Sequence, residues 1–347
     1  MRCRSIKILT AVLLASFAMT APLAAQNAAP EIKFDSVPNP LQLPDGLYLG
    51  EVGGVATNSK GDIFVYTSSG HPSITIGTAR PFAHGGARLF QFDRTGKFVQ
   101  EVGKNTYGFM VPAKVRVDPS DNIWVVDAFT NMVMKFDTRG DVAMLLGRKA
   151  ESENVPARPG RGGDGAGQQT DLFNRPTDVA WDAAGNIFVA DGDGNARIAK
   201  FDKNGKFVAS WGKRGTAPGE FANVLSIAVD AQGNVYAADG GNKRVQVFDN
   251  NGTFKTAFTN VGNAQALCMT KGPDQILYVS NSNPWNDIDV AGQIYRMKLD
   301  GTITGEFGRA GKLLKEFGTV NAIDCRTENT LYVGELGNLR VQKLVLH

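Results

Sequence analysis

The chain has 347 residues, of which 37 are lysine or arginine and 34 are aspartate or glutamate. Three of the basic residues, Arg2, Arg4 and Lys7, lie in the first 25 positions, which contain no acidic residue, so 34 basic residues remain against 34 acidic ones. This balance gives no electrostatic case for binding nucleic acid or an anionic membrane surface. With 40 glycines and 42 % hydrophobic residues, the composition is that of a turn-rich folded protein.

Residues 1–25 have the pattern of a secretory signal peptide. A basic start precedes an apolar run, Ile8 to Ala18, which is too short to span a bilayer and is followed by small residues up to Ala25. We expect cleavage after Ala25, and an exported protein, periplasmic or secreted, that is not held in a membrane. A retained membrane anchor is the alternative. Residues 26–347 are predicted to form a single domain.

One stretch, Asn174 to Gly212, is the template for most of the remaining chain. It contains four β-rich runs separated by the turns Ala183 to Asn186, Asp191 to Asn195 and Asp202 to Gly205. Short runs of four to six residues between Asn/Asp/Gly turns predict a four-stranded antiparallel meander.

Six such repeats follow a proline-containing lead-in at residues 26–50. The repeats have their first strands near Val52, Lys114, Thr177, Ser226, Ala266 and Ala322. Repeats of this length bury their faces by stacking side by side, which predicts an all-β six-bladed β-propeller around a central channel. The sixth repeat ends after its third strand. A lead-in strand at Ile32 to Phe34 is expected to complete this blade and close the ring.

Two inserts interrupt the repeats, at Thr67 to Gly86 and at Arg148 to Asp171. The loop between the second and third strands of a blade and the connection between blades share one face of the disc, so both inserts are predicted on that face. Long loops on one face are where function is usually carried. The first insert contains His71 and His84. We interpret His71, which precedes Pro72, as a turn-shaping residue, with ligand contact as the alternative.

Two cysteines, Cys268 and Cys325, follow the signal segment. They lie in the first strands of neighbouring repeats, one position out of step, so their side chains are expected on opposite faces of their strands. We interpret them as two buried thiols. A disulfide, which an exported protein is able to form, is the alternative.

A polar pattern recurs after the second strand of several repeats. Asp191 is followed by Asn195 and Arg197, and Asp239 by Asn242 and Arg244. These repeats resemble NHL repeats, and the chain after the signal segment is similar to the peptidyl-α-hydroxyglycine amidating lyase family. The stretches that carry this similarity are Leu43 to Gly46, Leu49 to Val52, His71-Pro72, Arg175 to Ala180, Asp191-Gly192 and Pro218 to Phe221.

The resemblance implies a zinc ion held by three histidines at the starts of inner strands, with an arginine, a tyrosine and an aspartate around the substrate. The positions that match the three histidines hold Ala113, Leu225 and Asn321. The aspartate, tyrosine and arginine correspond to Ala322, Asp193 and Ser69. A catalytic zinc needs three protein ligands and an open position. We therefore predict that this chain lacks the zinc site and the amidating-lyase chemistry.

Acidic residues suggest a different metal site on the loop-rich face. The candidates, at the ends or starts of inner strands, are Asp127, Asp178, Asp191, Asp193, Asp239 and Glu335. Carboxylates that converge on the channel mouth would suit Ca²⁺ or Mg²⁺. For Asp127, Asp191 and Asp239 we favour a structural role, in which each caps its own hairpin turn. Asp178 and Asp193 break the repeat pattern and are the better site candidates.

The sequence thus predicts an exported propeller that acts as a binding or interaction module for a small molecule, peptide, glycan or protein. The predicted ligand-binding residues are Asp178, Asp193, Lys114, Asn321 and His71, of which Lys114 and Asn321 are chosen on position alone. The alternative is a metal-dependent enzyme. It would be an amidating-lyase-like enzyme with a rebuilt site, or a lactonase-type hydrolase with Ca²⁺ or Mg²⁺ among Asp178, Asp193 and Asp239.

Overall fold

A computed structural model describes residues 29–69, 74–76, 80–82, 86–148, 172–284 and 286–347. The predicted signal peptide, His71 and most of the two inserts lie outside these ranges. Within them the strands form six four-stranded antiparallel sheets and two two-stranded sheets. The chain is therefore the predicted all-β six-bladed propeller. No helix in the described ranges has the length and apolarity needed to cross a membrane.

The first half of the chain runs through three blades. Strand β1 (Phe34–Val37) comes first. Blade 1 contains β2 (Val52–Thr57) and β3 (Ile63–Ser68), then the short hairpin β4 (Ile74–Ile76) and β5 (Arg80–Phe82), then β6 (Ala87–Phe92) and β7 (Phe98–Val102). Blade 2 contains β8 (Pro112–Val117), β9 (Ile123–Asp127), β10 (Met132–Phe136) and β11 (Val142–Gly147). Blade 3 contains β12 (Asp178–Trp181), β13 (Ile187–Asp191), β14 (Arg197–Phe201) and β15 (Phe207–Trp211).

The second half completes the ring. Blade 4 contains β16 (Ser226–Val229), β17 (Val235–Asp239), a 3-10 turn at Gly240–Asn242, β18 (Arg244–Phe248) and β19 (Phe254–Phe258). Blade 5 contains β20 (Ala264–Met269), β21 (Leu277–Asn281), β22 (Gln293–Met297) and β23 (Ile303–Phe307). The parallel pair β24 (Arg309–Ala310) and β25 (Glu316–Phe317) leads to blade 6, which contains β26 (Val320–Thr327), β27 (Thr330–Glu335) and β28 (Arg340–Leu346).

Aspartate and glycine fix the turns between the outer strands. In blade 3, the Asp202 carboxylate accepts hydrogen bonds from the backbone N–H groups of Asn204 and Lys206, both at 2.9 Å. Gly205 adopts a φ of 82°, a conformation that glycine reaches without steric cost. The same aspartate contact recurs at Asp93, Asp137 and Asp249. The regular spacing of these turns in the sequence is therefore what sets the strand lengths.

The hydrophobic core lies between neighbouring blades. Phe188 of blade 3, for example, shares a buried cluster with Ile227 and Phe248 of blade 4. Trp124 and Trp181 meet between blades 2 and 3, with their ring centroids 5.4 Å apart. The inner strands β2, β8, β12, β16, β20 and β26 contact one another in this order, and β26 contacts β2. The ring is therefore closed around a central channel.

The N-terminal strand completes blade 6, as predicted, but it lies further along the chain. The paired residues run from Phe34 opposite Leu346 to Val37 opposite Lys343. The predicted start, Ile32, instead donates its N–H to the carbonyl of Glu306 in blade 5, at 2.8 Å. The chain thus passes the outer edge of blade 5 before it reaches blade 6, which shifts the strand toward its C-terminal end.

The interpretation of the cysteines as two thiols was wrong. Cys268 and Cys325 form a disulfide between β20 and β26, with their Cα atoms 6.0 Å apart. Adjacent blades stack face to face, so a side chain of blade 5 that points toward blade 6 meets a side chain on the opposite-facing surface of blade 6. The one-position offset, from which separate thiols were predicted, is what brings the two sulfurs together.

We expect the double substitution Cys268→Ala with Cys325→Ala to lower the free energy of unfolding by about 2–4 kcal/mol, because the bond restricts the unfolded chain across a separation of 57 residues. Urea unfolding of both proteins measures this difference. Thiol titration of the unfolded, non-reduced protein should find neither cysteine reactive. Two reactive thiols in protein purified under oxidising conditions would contradict the assignment.

Candidate functional site

An arginine from blade 2 lies at the centre of the channel. The Nε and Nη2 atoms of Arg116 donate to the two carboxylate oxygens of Asp178 in blade 3, at 2.9 and 2.6 Å. Nη2 also lies 3.2 Å from the Ser226 hydroxyl of blade 4 and 3.0 Å from the Leu267 carbonyl of blade 5. Nη1 lies 3.4 Å from the Ile323 carbonyl of blade 6. One guanidinium therefore connects blade 2 to four other blades.

The sequence interpretation placed Asp178 on the loop-rich face. In the structure, Asp178 is instead buried in this channel. Besides Arg116, its carboxylate accepts hydrogen bonds from the Ser226 hydroxyl at 2.6 Å and the Ile227 N–H at 3.1 Å. Burial alone would raise the pKa of this carboxyl, but the charges of Arg116 and Lys114 hold it below its usual value. Asp178 is therefore an ionised acid with fully occupied oxygens.

A second polar layer crosses the channel beside the first. Lys114 is only 1 % exposed, and its ammonium donates a hydrogen bond to the backbone carbonyl of Asn321. The Asn321 amide donates to the carbonyls of Gly53 at 2.6 Å and Ala113 at 3.1 Å, and its oxygen accepts from Gln265 at 3.0 Å. Three predicted site residues, Lys114, Asn321 and Asp178, thus come together, but as cross-links between blades.

Sequence reasoning missed Arg116, although a signal was present. Residues of a strand alternate between its two faces, so Lys114 and Arg116, two positions apart in β8, point the same way. Two basic residues on one face of an inner strand require a buried acid or carbonyl groups as partners. Asp178, singled out because it breaks the repeat pattern, is that acid.

The acidic residue of the NHL pattern holds the connection that enters its own blade. Asp191 accepts from the N–H of Asn174 at 2.8 Å, from the Asn195 amide at 2.7 Å and from Arg197 Nε at 2.8 Å. Asp239 makes the matching contacts with Ala222, Asn242 and Arg244. Glu335 makes them with Gly318, Asn338 and Arg340. The sequence interpretation proposed that Asp191 and Asp239 cap their own hairpin turns through the backbone. That proposal was wrong, because the backbone N–H groups they bind belong to the entering connection.

Asp127 combines both kinds of contact. It accepts from the N–H groups of Met110 and Val111 in the entering connection, at 2.6 and 2.8 Å, and from Thr130 N–H of its own turn at 2.8 Å. The Tyr66 hydroxyl of blade 1 donates to it at 2.8 Å. Burial raises the pKa of the Asp127 carboxyl in spite of these donors. Its oxygens are occupied by the protein itself.

The predicted convergence of carboxylates on one metal site is not found. Among the residues that the structure describes, no group of three or more His, Cys, Asp or Glu is placed to hold a metal ion. Asp178 is engaged by Arg116, and Asp191, Asp239 and Glu335 are each engaged within their own blade region. Asp127 is engaged by its own blade region and by Tyr66 of blade 1. The candidates are separated because each serves a different blade connection.

A cavity of about 880 Å³ opens on the loop-rich face, and we call it the loop-face pocket. Thr177, Leu225 and Gln265, at the starts of the inner strands of blades 3, 4 and 5, line its base. The predicted site residue Asp193 lies at its wall, where it forms a 2.7 Å ion pair with Arg175. Asp193 is therefore separate from the buried Asp178 cluster.

Amide side chains from blades 4 and 5 line the rest of the pocket. The Asn281 oxygen accepts from the Asn263 N–H at 2.9 Å, and the Asn283 oxygen accepts from the Thr319 N–H at 2.8 Å, so these loops are fixed. Other amide atoms have no hydrogen-bond partner within the described ranges: the oxygens of Asn263 and Gln265 and the nitrogen of Asn223. The exposed Lys243 also lines the pocket, and its ammonium has no ion-pair partner there.

These pocket residues were not identified from the sequence, because asparagine and glutamine carry no catalytic or metal-binding signature. One signal was available. Blade 5 has Asn281 where the neighbouring repeats have Asp191, Asp239 and Glu335. The departure from the acid marks the blade whose loops build much of the pocket.

Comparison with known proteins places this fold among its relatives. A family model described as a 6-bladed beta-propeller matches residues 170–287. Peptidyl-alpha-hydroxyglycine alpha-amidating lyase 1 of Drosophila melanogaster is 30 % identical over 273 residues, which cover 72 % of this chain and 47 % of that protein. Peptidyl-glycine alpha-amidating monooxygenase A of Xenopus laevis is 27 % identical over 308 residues, 83 % of this chain and 31 % of that protein.

NHL repeat-containing protein 3 of Homo sapiens is 28 % identical over 243 residues, which cover 65 % of this chain and 62 % of that protein. The chain is a six-bladed β-propeller homologous to the amidating lyases and the NHL-repeat proteins. This NHL-type propeller spans less than two thirds of the length of these curated relatives. Ala113, Leu225 and Asn321 are the residues that the sequence analysis matched to the zinc-ligand histidines of the amidating lyases.

Solved structures agree on the fold. A streptogramin B lyase structure has a TM-score of 0.53 at 14 % identity, covering 91 % of the NHL-type propeller and 98 % of the lyase. Virginiamycin B lyase from Staphylococcus aureus has a TM-score of 0.56 at 12 % identity, with 91 % and 100 % coverage. At these identities the likeness shows the shared propeller fold alone.

Lys114 predicts a pH dependence of stability. Burial lowers the pKa of its ammonium from 10.5 to about 8, with Asp178 opposing the shift and Arg116 adding to it. Between these values the folded chain releases a proton that the unfolded chain keeps, so the free energy of unfolding rises with pH by up to about 1.4 kcal/mol per pH unit. Urea unfolding of the wild type and of Lys114→Met should be compared from pH 7 to pH 10. Because the two proteins share all other titrating groups, the difference between their free energies of unfolding should show this rise. A difference that stays constant with pH would contradict the prediction.

Proposed function

We propose that this propeller is an exported binding module that holds a small molecule or short peptide in the loop-face pocket. The observation that carries the proposal is the set of unpaired amide atoms of Asn223, Asn263 and Gln265 around this cavity. Pockets with a few placed polar groups and an apolar lining are typical of ligand sites. Together these three side chains offer one donor and two acceptors, which suit the peptide groups or hydroxyls of a ligand.

The other side chains of the pocket narrow the ligand further. Leu225, Pro284, Val290 and Leu336 supply apolar surface. Lys243 supplies a positive charge, while the charges of Arg175 and Asp193 neutralise each other. A ligand with an apolar body, amide or hydroxyl groups and one acidic end fits this set, and a short peptide with a free C-terminal carboxylate has all three features.

The rim of the pocket favours a peptide over a compact molecule. Val290, which lines the pocket, is 45 % exposed, and the nearby Ile288 is 40 % exposed. Exposed apolar side chains beside a concave site commonly mark an interaction surface. A longer peptide, or a segment of a protein, would bury them.

Two observations support export. The first is the basic and then apolar N-terminal pattern, with small residues before Gln26. The second is the disulfide between Cys268 and Cys325, because such bonds persist in oxidising compartments and are rare in the cytosol. We place the protein in the periplasm or outside the cell on these grounds.

Amidating-lyase chemistry is the second candidate, and homology along most of the chain favours it. It would require a metal bound by residues other than Ala113, Leu225 and Asn321, whose side chains are not metal ligands of the zinc type. A lactonase-type site would draw on Asp178, Asp193 and Asp239, which are paired with Arg116, Arg175 and Arg244. These pairings support binding over catalysis.

Binding of a peptide library tests the proposal. We expect peptides with a free C-terminal carboxylate to bind more tightly than the same peptides with a C-terminal amide, measured by fluorescence anisotropy on the full chain. Lys243→Gln should weaken the carboxylate form about tenfold and remove the preference, because it deletes a charge-assisted hydrogen bond. Gln265→Leu should weaken both forms about two- to tenfold, since it deletes a neutral one.

The matched control is Lys298→Gln, an exposed lysine in a turn on the opposite face, which should bind as the wild type does. Absence of saturable binding to any peptide would contradict the proposal. So would equal affinity of the wild type and both pocket variants.

A further inference from the structure

A second cavity lies between blades 5 and 6, at the end of the molecule opposite the loop-face pocket. It measures about 280 Å³, and its lining includes Tyr278, Arg296, Lys271 and Arg326. Lys271 lies in the turn between β20 and β21, and Arg326 lies near the end of β26. Four side chains that donate hydrogen bonds, three of them cationic, therefore share one small space.

Two of these donors have no hydrogen-bond partner in the described ranges. Tyr278 is only 4 % exposed as a residue, and its hydroxyl forms no hydrogen bond with the part of the chain that the structure describes. The Nε atom of Arg296 is buried and has no hydrogen-bond partner either. Buried polar groups in native proteins are nearly always paired. An acceptor in the cavity that both residues line would give the Tyr278 hydroxyl and the Arg296 guanidinium a partner.

The local charges favour an anion as that acceptor. Burial lowers the pKa of the Lys271 ammonium, and the neighbouring charge of Arg326 lowers it further, while Asp121 and Asp324 oppose the shift. Both of these acids are already engaged. The Asp324 oxygens accept from the N–H and hydroxyl of Thr57 at 3.0 and 2.8 Å. Asp121 accepts from Ser59 N–H at 2.9 Å and lies 3.6 Å from Arg326 Nη1.

Two further acids, Asp274 and Glu328, also line the cavity. Both are exposed, and neither forms an ion pair within the described ranges. Their carboxylates are free to turn into solvent, whereas the Tyr278 ring and the Arg296 Nε atom are held by burial. The polar side chains that burial holds in place at the cavity are therefore donors.

The disulfide holds this arrangement together. Cys325 lines the cavity and is adjacent to Arg326, and Cys268 lies three positions before Lys271. Since the bond fixes their Cα atoms 6.0 Å apart, strands β20 and β26 cannot separate in response to the repulsion between Arg326 in β26 and Lys271 in the turn after β20. A covalent link that keeps like charges together is consistent with a site prepared for a ligand of opposite charge.

We infer that this cavity binds a small oxyanion, a carboxylate or a phosphate group, through Tyr278, Arg296 and Lys271. Arginine and lysine both form charge-assisted hydrogen bonds with such groups, and the tyrosine hydroxyl adds a neutral one. The site is independent of the loop-face pocket, because the lining residues of the two cavities do not overlap.

Isothermal titration of the full chain with inorganic phosphate and with acetate, at constant ionic strength set by chloride, tests this inference. We expect saturable binding of at least one of the two anions, with one site per chain. The anion that binds more tightly shows whether the site prefers a phosphate group or a carboxylate. Arg296→Gln should weaken binding about tenfold or more, because it deletes a charged donor. Tyr278→Phe should weaken it about two- to tenfold, because it deletes only the hydroxyl.

Tyr278→Phe also guards against misfolding, since the ring that packs in the core is retained. Circular dichroism verifies the fold of each variant. Lys203→Gln, an exposed lysine in a turn on the same face, is the matched control and should bind as the wild type does. Absence of saturable binding of both anions would overturn the inference. Unchanged affinity in Tyr278→Phe and in folded Arg296→Gln would overturn it as well.

Discussion

The buried ion pair between Arg116 and Asp178 is the interaction on which the rest of the structure depends. Placing two charges inside a protein is costly unless every donor and acceptor finds a partner. Here the partners come from blades 3 to 6, so the pair is satisfied only when these blades surround it. This requirement favours one register of the ring. Asp178 of this pair directly follows Thr177, which lines the loop-face pocket.

A second constraint acts at the edge of each blade and explains why acids recur in the sequence without forming an active site. Asp191, Asp239 and Glu335 each tie the end of a second strand to the connection that enters the same blade. Their burial leaves the loops above them free to differ. Blade 5, where Asn281 replaces the acid, uses this freedom to contribute the amide side chains of the loop-face pocket. Structural and ligand-binding positions are thus separated within one repeat pattern.

The fold was predictable because its determinants are local. Alternating strands and Asp/Gly turns such as Asp202 to Gly205 recur along the chain, and the short sixth repeat required a strand from the N-terminus. Contacts between blades were harder to predict. The pairing of Cys268 with Cys325 depends on how blade faces stack, and the roles of Lys114, Asn321 and Asp178 depend on which side chains meet across the channel. Asp193 was predicted on the loop-rich face, but its neutral amide neighbours carry no catalytic or metal-binding signature, and only Asn281 departs visibly from the repeat pattern.

The central proposal is that this propeller keeps the scaffold of the amidating lyases and binds ligands without the metal site of their chemistry. Ala113 and Asn321 contact each other through a hydrogen bond, and Leu225 lines the pocket base, so the three positions supply structure and apolar surface. The most direct test is the release of glyoxylate from a peptidyl-α-hydroxyglycine by the full chain with zinc, with calcium and with a chelator. We predict no release above the uncatalysed rate in any of the three. Release that the chelator abolishes would contradict the claim and would show that other residues hold a catalytic metal.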